Sequence, residues 1–96
     1  MATKYWYSAS ATANWASSNW YTSAPTAGGP VGTVTTFAIT DDAVFTQYSG
    51  TTTVTIAAAQ TTRSVKMTGF LGTLAGTFQL TISGSDTGTN AGDALV

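Results

Sequence analysis

Only seven side chains in this 96-residue chain carry a formal charge: Lys4, Arg63, Lys66, Asp41, Asp42, Asp86 and Asp93. There is no His, no Cys and no Glu. That removes imidazole acid–base chemistry, thiolate nucleophiles and soft metal ligands together. The many Ser and Thr hydroxyls have no His to activate them. A Ser–Lys pair would need one of two lysines beside a particular hydroxyl, and nothing in the sequence singles one out. Asp41-Asp42 is the one local pair of carboxylates. Neighbouring residues of an extended strand point to opposite faces, so in a strand the pair would neither share a proton nor flank a substrate. In a turn the two could converge, but the expected role is to satisfy backbone donors ahead of Ala43-Val44-Phe45. The chain is therefore expected not to be an enzyme.

Other chemistries fare no better. The stretch 85–93, with Asp86, Asn90 and Asp93, offers the hard oxygen ligands that calcium takes, yet it has neither the spacing of an EF-hand loop nor a Glu to close one. Gly28-Gly29 and Gly69-Phe70-Leu71-Gly72 match no nucleotide motif and precede no predicted helix. No metal and no cofactor is expected. With a formal net charge of −1 and three cations, the chain could neutralise few phosphates, so a nucleic-acid partner is not expected. The longest apolar stretch falls well short of the roughly 20 residues of a membrane-spanning helix. The N-terminus lacks a basic segment followed by an apolar run, so neither a membrane partner nor a signal peptide is expected.

The aromatic residues remain. Tyr5, Trp6, Tyr7, Trp15, Trp20 and Tyr21 concentrate most of the large aromatic surface near the N-terminus. Exposed in a groove, they could stack on sugar rings, with Asn14, Asn19, Asp41 and Asp42 as hydrogen-bonding neighbours. Buried, they would plug a core or anchor an interface, because each Trp covers a large area. Packing is the favoured use in so small a domain, and Tyr5, Trp6, Trp15, Trp20 and Tyr21 are the interface candidates.

The elements that must position these residues read as strands. Within 1–24 only 4–8 has strand character, and 13–23 reads as an irregular loop or one helical turn. Pro25 and Pro30 bracket a Gly-rich turn, so a new element is expected to begin at Val31. Period-two alternation follows over 31–39, with Val54 and Ile56 inward over 51–56, Val65 and Met67 inward over 63–68, and Phe78, Leu80 and Ile82 closing the series. Val54/Ile56 recurs at coil-like separation as Leu80/Ile82. No segment carries a helical apolar stripe over three turns. The expected fold is a single all-β domain over 1–96: a small compact β-sandwich, or a short β-solenoid-like domain, with an irregular aromatic-rich segment (1–30), a β core (31–84) and a tail or arm (85–96). Apolar residues reach 43%, many of them Ala, so the core is thin and association is expected to complete its burial.

Taken in order, Asn14-Trp15, Asn19-Trp20, Pro25, Asp41-Asp42-Ala43-Val44-Phe45, Thr53-Val54-Thr55-Ile56, Ser64-Val65-Lys66-Met67, Thr68-Gly69-Phe70 and Leu80-Thr81-Ile82-Ser83-Gly84 form a pattern. It resembles Trp-containing β-rich segments of bacteriophage capsid-surface and tail-associated proteins, and is similar to autotransporter-type β-solenoid passengers. The resemblance covers about residues 4–84 and implies virion-surface or extracellular architecture without a catalytic site. On that basis the expected function is a non-enzymatic capsid decoration, or cement, protein of a phage. Its partners would be the major capsid protein and further copies of itself, as a homo-oligomer such as a trimer, located on the virion. A tail-fibre or adhesin-type carbohydrate-binding module is the alternative.

Overall fold

The computed structural model describes residues 2–67 and 69–83. Ten strands, and no helix, lie among the described residues: β1 (Thr3–Trp6), β2 (Thr12–Asn14), β3 (Trp20–Thr26), β4 (Gly29–Thr35), β5 (Asp42–Val44), β6 (Thr53–Ile56), β7 (Gln60–Thr62), β8 (Ser64–Lys66), β9 (Thr73–Gly76) and β10 (Leu80–Ile82). The all-β expectation holds.

The pairing shows which all-β architecture it is. β1, β5 and β8 run parallel side by side, as do β2, β6 and β9, and β7 lies parallel to β10. Asp42 lies opposite Ser64, Thr53 opposite Thr73 and Gln60 opposite Leu80, so nearly equal lengths of chain separate the partners on all three sides. The chain thus visits three sides in turn and returns one layer further along, the register of a short three-sided solenoid rather than of a sandwich built from hairpins. A first coil supplies β1 and β2, a second β5, β6 and β7, and a third β8, β9 and β10.

One excursion breaks the series. Between β2 and β5 the chain makes the hairpin β3–β4, and β3 pairs antiparallel with the free edge of β1, giving the sheet order β4-β3-β1-β5-β8. The expected boundary near residue 30 is not a structural one. Residues 1–30 contribute three strands, β3 runs through Pro25, and the turn falls at Ala27-Gly28. Pro25 is tolerated because it lies beyond the part of β3 that pairs with β1 (Tyr21 and Trp20), where pairing to β4 is already interrupted by register shifts. β4 ends at Thr35, and its alternation reports no buried face: the hairpin stands at the end of the sheet, leaving Val34 48% exposed.

The interior is filled by Trp6, Trp15, Trp20, Ala43, Phe45, Val54, Ile56 and Val65, all buried. Val54 stacks on Leu74, not on Leu80 as the sequence spacing suggested; Leu80 and Ile82 belong to another side, against Gln60 and Thr62. Buried hydroxyls close the corners. Thr52 donates to the carbonyls of Ser8 and Ser10, and Thr62 to those of Asp41 and Ser64. At one corner Gly50 has φ +92°, and a Cβ there would run into the Ser8 carbonyl oxygen. Ile56→Ala is expected to cost about 2–5 kcal/mol in urea unfolding. A loss below about 1 kcal/mol would mean that β6 turns its other face inward.

Candidate functional site

Lys4, Asp41, Asp42 and Arg63 assemble at one corner, where the 36–41 turn meets β1 and the β7–β8 junction. The buried Asp41 carboxylate accepts from the Lys4 ammonium and from the backbone N–H groups of Ala2 (3.1 Å) and Ala38 (2.9 Å). Lys4 also donates to the Thr36 carbonyl at 3.0 Å. The Asp41 carbonyl takes the Thr62 hydroxyl at 3.0 Å and the Arg63 N–H at 2.9 Å. Asp42 turns elsewhere, to Arg63 Nε at 3.1 Å and the Ser64 hydroxyl. The expectation that the acidic pair satisfies turn donors is met by Asp41, and the two carboxylates do not converge.

Burial alone would raise the Asp41 carboxyl. Hydrogen bonds from Lys4, Ala38 and Ala2, with the ammonium charge, outweigh it and hold the group below its ordinary value. A carboxylate held this way has its ionised form favoured and three of its roughly four lone-pair sites taken, which suits a structural tie. Among the described residues no three His, Cys, Asp or Glu side chains gather to hold a metal. Asp86, Asp93 and the calcium-like stretch 85–93 lie outside the described residues, as does the 85–96 arm.

The aromatic candidates divide by face. In β1 and β3, Trp6 and Trp20 lie opposite one another and point inward, while Tyr5 and Tyr21, also opposite one another, are half-buried on the other face. Tyr7 packs edge-on against Tyr21 with centroids 6.4 Å apart. Trp15 enters the core from the turn after β2. There the Asn14 side chain accepts from Ala16 N–H at 2.9 Å and the Asn14 carbonyl accepts from Ser17 N–H, reversing the chain. Trp6, Trp15 and Trp20 are 0%, 1% and 0% exposed. They are therefore core residues with no ring face free for a sugar or for a partner's surface. This corrects their assignment as interface candidates and leaves only Tyr5 and Tyr21 of that set partly accessible. A recess of about 180 Å³ reaches Trp15, Trp20 and Phe37 between Ser17, Thr35 and Gln60.

The feature that sequence reasoning missed is the difference between the two ends of the stack. At the first coil β3 covers the edge of β1, while β2 and β7 are outermost in their own sheets. At the third coil Met67, Phe70, Leu74, Leu80 and Ile82 pack on the core and remain half-buried, as do Ala13 and Phe37 elsewhere. Leu71 and Phe78 nearby are 68% and 55% exposed. Comparison with protein-family models, with curated proteins and with solved structures finds no match to this chain.

Proposed function

We propose that this chain is a non-enzymatic structural protein of a bacteriophage particle, a capsid decoration or cement protein that self-associates and grips the major capsid protein. The placement on a virion rests on the resemblance of residues 4–84. The observation that supports the structural reading is the set of half-covered apolar residues of the third coil, Met67, Phe70, Leu74, Leu80 and Ile82, with Leu71 and Phe78 exposed beside them. Such a surface suits association, and the charged groups of the corner are committed to holding the fold.

A second reading, a tail-fibre or adhesin element, draws on the coil-by-coil parallel register, which suits a shaft. Its carbohydrate-binding form would have to use the partly exposed tyrosines Tyr5, Tyr7 and Tyr21, because the three Trp rings are buried. Immunogold electron microscopy of native particles, with antibody raised against this chain, separates these readings. Label over the shell supports decoration and label on fibres supports the second reading. Particles without label, from a culture that makes the protein, would overturn both virion placements.

A further inference from the structure

We propose that the shallow cleft lined by Tyr7 and Tyr48 is a binding site for a neutral saccharide, one sugar ring of which lies against the tyrosines. The inference goes beyond the structural role proposed above and does not depend on where in a particle the protein sits.

Three separate pieces of chain build the cleft: Tyr7 just after β1, residues 26–29 at the β3–β4 turn, and Gln47 and Tyr48 in the turn between β5 and β6. Its volume of about 270 Å³ falls just under the roughly 300–1,000 Å³ of sites for drug-sized ligands. That suits one sugar ring, with the open side free for a chain to run on. The walls combine aromatic faces with polar groups. Among the described residues, the Tyr7 and Tyr48 hydroxyls and the Gln47 side-chain amide make no hydrogen bond, and Thr26 only accepts one, from Gly28 N–H at 3.3 Å. The negative face of a tyrosine ring attracts the weakly positive C–H bonds of a sugar. Sugar hydroxyls both donate and accept, as do the hydroxyls and the amide that meet them, whereas a proline-rich segment, another guest of aromatic grooves, offers acceptors only. Among the described residues no charged side chain lines the cleft, so an acidic sugar finds no countercharge there.

The cleft is built in advance of any ligand. Tyr7 N–H donates to the Asn19 carbonyl at 3.0 Å, and its ring is held edge-on against Tyr21. On the facing wall the turn is closed by reciprocal bonds, Thr46 N–H to the Ser49 hydroxyl at 2.8 Å and Ser49 N–H to the Thr46 carbonyl at 3.1 Å, while Tyr48 N–H donates to the Thr46 hydroxyl at 3.1 Å. Ser49 is fully buried, and its carbonyl accepts Ser8 N–H at 3.2 Å, which ties this turn to the segment that carries Tyr7. Yet Tyr48 is 43% exposed, with Gln47 exposed beside it, and the core makes no use of its ring. A fixed backbone thus holds an aromatic ring out in water. A tyrosine placed this way brings contact area at small entropic cost when a ligand arrives. At the β3–β4 turn Gly29 has φ +120°, and a Cβ there would meet nothing within 4 Å, so the ligand can approach the turn backbone closely.

The test is an amide NMR titration of the isotope-labelled full chain with free glucose, galactose, mannose and N-acetylglucosamine, and with N-acetylneuraminic acid and a polyproline peptide as the acidic and peptide probes. The expected result is saturable shifts of the Gly28, Gly29 and Tyr48 backbone amides and of the Gln47 side-chain amide with at least one neutral sugar. A ligand of one ring should bind with a Kd on the order of 1 mM, and the three Trp indole N–H signals should stay in place. Tyr48→Ala should weaken binding by at least about fivefold through loss of the stacked ring, with the near-ultraviolet circular dichroism of the buried Trp cluster unchanged. Tyr48→Phe should keep most of the affinity, and Val34→Ala, on the outer hairpin, all of it. Four outcomes would overturn the proposal: no saturable shift with any of the neutral sugars; saturable shifts that map elsewhere, such as the recess at Trp15; a Tyr48→Ala variant that binds as well as the parent; or a response to the acidic sugar or the peptide alone. The titration involves no particle, so its failure leaves the virion placement standing, and particles without label would leave the sugar site standing.

Discussion

Trp20→Ala is expected to be among the most damaging single substitutions in the chain, costing about 3–5 kcal/mol, the range for emptying a buried aromatic site. Trp20 is the hub of the aromatic cluster, with ring centroids 4.5 Å from Phe37, 4.9 Å from Trp15, 5.2 Å from Trp6 and 5.5 Å from Phe45. Its Nε1 donates to the Trp15 carbonyl at 2.7 Å, so truncation also strands a buried acceptor. Small domains have total stabilities near the low end of about 5–15 kcal/mol, so the variant is expected to be largely unfolded at moderate temperature. Trp20→Phe keeps a ring but loses the donor, and should cost about 1–3 kcal/mol. Urea unfolding followed by near-ultraviolet circular dichroism measures both. A Trp20→Ala variant as stable as the parent would mean that the ring is not a core element, reopening its use as a sugar platform.

How much of this was legible in the sequence can be judged residue by residue. The inward set Val54, Ile56 and Val65 was readable because alternation over a half-buried strand leaves a period of two. Trp6 against Tyr5 and Tyr7, and Trp20 against Tyr21, obey the same rule, with large apolar rings inward and hydroxyl-bearing rings outward. β2, β7 and β9 were illegible. Thr-Ala-Asn, Gln-Thr-Thr and Thr-Leu-Ala-Gly have weak strand signals, and they are strands because a neighbouring coil offers them a partner.

The coil period was hidden for two reasons. Stacked positions differ in type, as in Ala13, Val54 and Leu74, or Gln60 and Leu80. The β3–β4 hairpin also stretches the first interval, so that the stretch of chain from Thr3 to its partner Asp42 is much longer than that from Asp42 to Ser64. The turn between the two prolines was readable and falls at Ala27-Gly28, but both prolines lie inside strands, where an interrupted pairing accommodates them. The charged corner was half readable. The turn role of Asp41 followed from its residue type, but its pairing with Lys4, 37 positions away, depends on the hairpin returning the chain to the start of β1.

That corner carries the second large expected effect. Asp41→Asn should cost about 3–5 kcal/mol, the usual penalty for removing one partner of a largely buried ion pair. The Lys4 and Asp41 side chains are only 13% and 5% exposed, so the loss leaves a poorly solvated ammonium without its countercharge, met by the Thr36 carbonyl and at best a neutral amide oxygen. Lys4→Met should cost less, because the carboxylate keeps the Ala2 and Ala38 N–H donors. The pH dependence follows from linkage. The carboxyl lies below its ordinary value of 3.8 in the folded chain, so the unfolded chain binds its proton more readily. The contribution to stability is therefore complete above that ordinary value and disappears as pH falls through the folded-state pKa. The parent should thus lose stability in acid, and Asp41→Asn should flatten that limb while being less stable at neutral pH. Lys66→Gln, at an exposed cation, serves as the control and should change neither. Urea midpoints from pH 2 to pH 7 give the comparison, and an acid limb of equal slope in the parent and in Asp41→Asn would show that another carboxyl governs it.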